Sequence, residues 1–146
     1  MASIEVYQYG AAPQVIEALE GTTAQTFAIG DLVKWEAAGR VVIATSGNQC
    51  AIARKAATGT QDAKLQIELL DPITLYVARA ASATTTAQLD VGAESDFTYT
   101  VGGHTLATNT TSGADAIIVQ LHPADGLKAG GRYIVRFMAS GIATGA

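Results

Sequence analysis

An all-β fold is the class this sequence predicts, and three observations predict it. Apolar residues recur at every second position in several short segments. Gly paired with Asn, Asp, Gly or Ala separates those segments at close spacing. No long stretch repeats apolar residues with the 3.6-residue period of a helix. Alternation places successive side chains on opposite faces of a strand, and many short strands with frequent turns favour a barrel or a sandwich.

The strands are read in order. Phe27, Ile29, Leu32 and Val33 suggest the first. Val41 and Ile43 follow, alternating with Arg40, Val42 and Ala44. Leu65, Ile67 and Leu69 alternate with Lys64, Gln66 and Glu68, the cleanest two-residue period in the chain. Within 62–70 the composition also suits a helix, but the alternation decides for a strand. Leu75 and Val77 mark another. Phe97, Tyr99 and Val101 alternate with Thr98 and Thr100. Ile117, Val119 and Leu121 alternate with Ile118, Gln120 and His122. Tyr133, Val135 and Phe137 alternate with Arg132, Ile134 and Arg136.

Turns are expected at Gly30-Asp31, Ala38-Gly39, Gly47-Asn48, Gly102-Gly103 and Asp125-Gly126, where Gly, Asn and Asp supply the positive φ of tight hairpins. Residues 80–90 read as a long surface loop, and 141–146 as a flexible tail. The segment PQVIEALE, 13–20, opens on Pro13 and is closed by Gly21. It reads either as a short helix or as part of an extended arm. No repeat with a period of 20–50 residues is apparent. A single β domain over 21–140 is the expectation.

The chain has 146 residues, enough to bury a core without disulfides or a metal. Hydrophobic residues make up 49% and charged residues 15%, against a usual charged share of about 25%, which excludes disorder as the main state. The net charge is −4, from 9 Lys and Arg against 13 Asp and Glu. A chain that neutralises phosphates is basic, so no nucleic-acid partner is expected. No apolar run approaches the ~20 residues that span a bilayer, so no membrane partner is expected. No signal peptide is expected either, since no basic region precedes an apolar core at the N-terminus. A single cysteine, Cys50, fits synthesis in a reducing cytoplasm.

No catalytic, cofactor or metal site is expected. One Cys and the separated His104 and His122 do not make a four-ligand zinc site. Both histidines read as surface residues. Cys50, between Gln49 and Ala51, reads as a small buried hydrophobe. Phosphate-loop and calcium-loop patterns are missing. Asn109-Thr110-Thr111 is a sequon without a secretory signal. Trp35 is either core or an interface anchor. Arg132 and Arg136 share a strand face with Ile134 between them. That stripe is either a solvated face or a contact to acidic or carbonyl groups of a partner.

The stretch TFAIGDLVKWEAAGRVVIATSGNQCAIARKAATGTQDAKLQIEL, within 26–70, resembles the small capsid decoration, or cement, proteins of tailed bacteriophages. The resemblance rests on Gly30, Asp31, Leu32 and Val33, on Gly39, Val41 and Val42, on Ala51, Ile52 and Ala53, and on Gly59, Leu65, Ile67 and Leu69. It covers about a third of the chain; where that family often has Gly-Val or Gly-Ile-Ala, this chain has Ala-Ile-Ala-Arg. The resemblance implies a compact β-barrel or β-tulip-like domain with an extended N-terminal arm over 1–20, on which Ile4, Val6, Tyr7 and Tyr9 are available for burial. It implies a homotrimer on the outside of the expanded head, clamping major capsid protein subunits, with no catalysis. Another virion module, of tail or fibre, is the alternative; a small cytoplasmic ligand-binding β-barrel is a further one.

Overall fold

The computed structural model of the protein describes residues 3–45, 49–81, 84–107 and 115–143. These residues form eleven strands: β1 (Glu5–Gln8), β2 (Val15–Glu20), β3 (Leu32–Glu36), β4 (Arg40–Ile43), β5 (Ala51–Ala53), β6 (Lys64–Leu69), β7 (Leu75–Ala80), β8 (Glu94–Thr98), β9 (Thr105–Ala107), β10 (Ala116–Leu121) and β11 (Arg132–Phe137). The fold is all-β, as the alternation predicts.

The strands close into two barrels. The first runs β2-β4-β3-β5-β6 and back to β2. The second is the sheet β7-β11-β10-β8-β9, closed by a β7–β9 pairing, with β1 added to the free part of the β7 edge. Each barrel has one parallel pair, β2–β4 in the first and β7–β9 in the second.

The two barrels are the same fold repeated. Strands β2 to β6 correspond in order to β7 to β11, and the neighbours match one for one. So does the register. Leu19 faces Arg40 where Arg79 faces Thr105. Ile52 faces Glu68 where Ile117 faces Arg136. Leu19 faces Lys64 where Arg79 faces Arg132. The spacing between equivalents grows from 60 residues (15 and 75) to 68 (64 and 132), beyond the 20–50 range in which no repeat is visible. Short sequence traces survive: Ala51-Ile52 opens β5 as Ala116-Ile117 opens β10. Thr22-Thr23-Ala24-Gln25 and Thr85-Thr86-Ala87-Gln88 stand at equivalent places after the first strand of each barrel.

Each barrel is filled by its inward positions. The first packs Phe27, Val33, Val41, Leu65 and Ile67 with small Ala18, Ala51 and Ala53. The second is more aromatic. Tyr76 meets Phe137 edge-on at 5.1 Å, and Phe97 stacks on Phe137 at 5.4 Å, geometries that suit the ring quadrupoles. Leu32, Ile52 and Leu70 leave the first barrel to join the second barrel's core. The two cores are therefore in contact. The three-residue turn between β3 and β4, 37–39, passes through Ala38 (φ 63°) and Gly39 (φ 73°), a left-handed backbone that glycine adopts freely and alanine does not.

Several expectations change. Residues 1–20 were expected as an arm, with a short helix allowed over 13–20. Instead β1 pairs with β7, and 15–20 is strand β2, bonded to both β4 and β6. Ile4 is 1% exposed, so it is core rather than a free arm residue. Within the β domain expected over 21–140 the strands form two barrels, the first beginning at β2. Strand β8 stops at Thr98, leaving Tyr99 and Val101 outside it, and Phe27 and Ile29 precede β3. In the loop over 80–90, Thr86 is buried and ties three backbone groups of 126–128. The tail expected over 141–146 is docked at its start, where Gly141 is buried and the Ala143 N–H bonds the Gln49 carbonyl at 2.9 Å. The Gly47-Asn48 turn and the Asn109 sequon lie outside the described residues, as does the rest of that tail, 144–146.

Candidate functional site

The outer surface of the second barrel carries a groove of about 580 Å³ where β1, β7, β10 and β11 meet the turn before β7. Its walls include Tyr9, Ile73, Val91, Ile117, Val119 and Arg136. Ile73 is 57% exposed and Tyr9 44% exposed.

Both rim residues are held rather than loose. Ile73 sits on a turn organised by the Asp71 carboxylate, which accepts the N–H groups of Ile73 (2.9 Å) and Thr74 (2.7 Å) and the Thr74 hydroxyl (2.5 Å). Such an Asx-type turn presents its residues rigidly. The Gly10 N–H bonds Thr74 Oγ1 at 3.1 Å, and a Cβ on Gly10 would lie 2.2 Å from the Ile73 carbonyl oxygen. Only glycine allows the chain after β1 to lie so close.

Tyr9 is fixed at its hydroxyl, which donates to Glu68 Oε1 at 2.9 Å and accepts from Arg54 Nη2 at 3.1 Å. Arg54 is ion-paired to the buried Glu68. Burial, followed by the Glu68 hydrogen bond, pushes the Tyr9 phenol above its usual range, so it stays a neutral donor. The side chain is thereby fixed while 44% exposed.

Of the residues singled out in the sequence, the structure brings Tyr9 and Arg136 into this groove. Arg136 is exposed and faces Ile117 in register, and no ion pair with it occurs among the described residues. Tyr7 is 43% exposed beside His122, the rings meeting edge-on at 5.9 Å. Val6 is half-buried against the second core. The Arg132–Ile134–Arg136 stripe does not form. Ile134 is fully buried between Val77 on β7 and Gln120 on β10. Arg132 is committed to Asp125 through two contacts of 2.8 and 2.9 Å. That guanidinium holds the Asp125 carboxyl far below the usual range. Sequence reading missed Ile73 and Val119. The Asp71-Pro72-Ile73-Thr74 turn was the available signal for Ile73, since an apolar residue in an Asp-led turn has no core to enter.

A second polar cluster lies at the barrel junction. His104, expected at the surface, is 1% exposed. It lies just beyond the Gly102 turn, in the hairpin that packs on β3. Its Nε2 faces the Leu32 N–H at 2.8 Å and its Nδ1 faces the Thr100 N–H at 3.1 Å. Asp31, also buried, accepts from Ser3 Oγ (2.5 Å), the Ala28 N–H (2.9 Å) and the Gly102 N–H (2.9 Å). The His104 N–H bonds Ser3 Oγ at 3.1 Å.

Ser, His and Asp thus meet, but not as a nucleophile with its base. The Ser3 hydroxyl proton goes to Asp31, and both ring nitrogens face backbone donors. Burial pulls the His104 imidazole below its usual range, with Asp31 opposing. A neutral ring accepts one bond; an imidazolium accepts none. The cluster sews the N-terminus to both barrels.

Cys50 is buried, as expected from its neighbours, and burial pushes its thiol up to about 12. Trp35 is half-buried against the first core. Among the described residues, no group of three or more His, Cys, Asp or Glu is placed to hold a metal ion. Among the described residues, no helix is long and apolar enough to cross a membrane. No family model matches the chain, and no curated protein or solved structure matches it.

Proposed function

We propose that this chain is a capsid decoration protein of a tailed bacteriophage, without catalytic activity. It binds the exterior of the expanded head as a homotrimer and clamps neighbouring major capsid protein subunits. One observation carries the reading: a rigidly presented apolar groove, rimmed by Tyr9, Ile73 and Val119 and containing the exposed guanidinium of Arg136. An apolar centre with a single cation suits a partner segment that ends in a carbonyl or carboxylate. Aromatic and Arg residues are the usual anchors of such contacts.

Two further features support it. The segment that resembles decoration proteins forms one continuous unit, β3 to β6 of the first barrel. A chain with few charges and without a large apolar patch at this groove stays dispersed as a free copy, and many weak contacts on a lattice sum through multivalency.

The test is to add the purified protein to expanded heads that lack it. Binding, with a rise in the temperature at which heads release DNA, is the expected result. A protein that leaves both unchanged, or that labels tails in electron micrographs, contradicts the reading.

A further inference from the structure

The repeated barrel exposes a vacancy in the first copy. In the second barrel, β7 bonds β11 on one side. Its other side is shared, with β9 covering Arg79 and Ala80 and β1 covering Leu75 to Val77. In the first barrel, β2 bonds β6 on one side, and β4 covers Leu19 and Glu20 on the other. Among the described residues, no strand takes the place of β1 beside Val15, Ile16 and Glu17.

The hydrogen-bond parity shows which groups are open. The Leu69 N–H bonds the Gln14 carbonyl, and the Glu20 N–H bonds the Ala63 carbonyl. Even-numbered residues of β2 therefore point their backbone groups at β6. Val15 and Glu17 point theirs away from it, as does Leu19, which β4 meets. Leu75 and Val77, their equivalents, point toward β1.

The side chains agree. Tyr76, in register with Val6 of β1, is 1% exposed. Its equivalent Ile16 is only half-buried against the first core, and Val15 is 48% exposed.

We propose that the β2 edge at Val15–Glu17 is an acceptor for an extended strand of a partner protein, added antiparallel as β1 is added to β7. The β3–β4 turn flanks the opening, so a single strand fits better than the side of a second barrel. The occupant presents an apolar residue opposite Ile16, as Val6 stands opposite Tyr76. It presents a basic residue opposite Glu17, whose exposed carboxylate makes a long 3.7 Å ion pair to the exposed Lys64 of β6, since opposite charges across a strand pair attract. Main-chain bonds supply affinity, and these two positions supply selectivity. The proposal stands apart from the shell reading and applies to any extended partner.

The probe is a capped synthetic peptide of residues 3–10, the segment that fills the equivalent edge, carrying Glu5→Lys. Amide exchange of the full-length protein is followed by NMR. Binding should slow exchange at Val15 and Glu17. The Lys peptide should bind about twofold to fivefold tighter than the unaltered one. Val15→Pro removes an edge N–H that β6 does not use, so the fold survives while affinity falls about tenfold. Protection confined to Leu75–Val77, by exchange with β1, overturns the proposal. So does the absence of binding at millimolar peptide, or equal binding to the Val15→Pro protein.

Discussion

Ile4→Ala separates a docked strand from a free arm. Ile4 is 1% exposed and packs in the second core, and its N–H bonds the Gly30 carbonyl at 3.0 Å. The substitution keeps that bond and removes three carbons. At about 0.8 kcal/mol per buried methylene the transfer loss is about 2.4 kcal/mol. The cavity left at a rigid barrel junction raises the cost to about 3 kcal/mol, within the range for such truncations. For a chain of this size each kcal/mol moves the melting temperature by about 2–4 °C. The expected drop is therefore about 6–12 °C, read by circular dichroism, with a lower urea midpoint at unchanged slope. Tyr7→Ala, three residues further along on β1 but 43% exposed, serves as the control and should cost under about 1 kcal/mol. Equal, small effects at both positions would refute the reasoning and restore an undocked arm.

Three further outcomes follow from buried or strained groups. His104 is held below its ordinary value of 6.5 by burial, so the unfolded chain takes up a proton that the folded chain refuses. Stability should be complete above about pH 6.5 and fall as pH drops below it, by at most about 1.4 kcal/mol per pH unit from this group. Denaturant titrations of the protein and of His104→Gln would show whether that slope vanishes in the variant. The Cys50 thiol should resist a disulfide reagent at pH 8 in the native protein and react in full once urea unfolds it; rapid native reaction would contradict its burial. Ala38 holds φ 63° without the freedom of glycine, so Ala38→Gly should raise stability by about 0.5–1 kcal/mol in thermal melts, and a loss would mean that the hairpin turns differently.

The strands with pure alternation were legible. Leu65 and Ile67 in β6, and Tyr133, Val135 and Phe137 in β11, point inward as their spacing implies. Short strands were not. Three residues in β5 or β9 give no period to read. Strand β2 was obscured twice, by Pro13 and Gly21, which imitate helix ends, and by Glu20 among its inward residues. Glu20 is tolerated because Thr58 and Gly59 supply three donors to its carboxylate. Those bonds outweigh desolvation and leave its carboxyl below the usual value.

The duplication was hidden by side-chain turnover. Leu65 stands where the second barrel has Tyr133, Val33 stands where it has Ser95, and the Thr-Thr-Ala-Gln tetrapeptides and the Ala-Ile pair that opens β5 and β10 are short traces that repeat as written. Ile134 misled for a related reason. It lies on the outward side of β11 yet is fully buried, with Val77 and Gln120 as its cross-strand neighbours, which the alternation alone does not reveal. The groove was half legible, through Tyr9 and Arg136. Ile73 and Val119 join it through turn geometry and a register shift in β10 that no local pattern reveals.

The claim that the groove between Tyr9, Ile73 and Arg136 is the attachment face is tested most directly by cryo-electron microscopy of heads saturated with the protein. The account predicts three-fold clusters whose second barrel sets this groove against the capsid surface, with Arg136 beside a carbonyl or carboxylate. Clusters that turn the groove toward solvent, or heads that carry no added density, would contradict it.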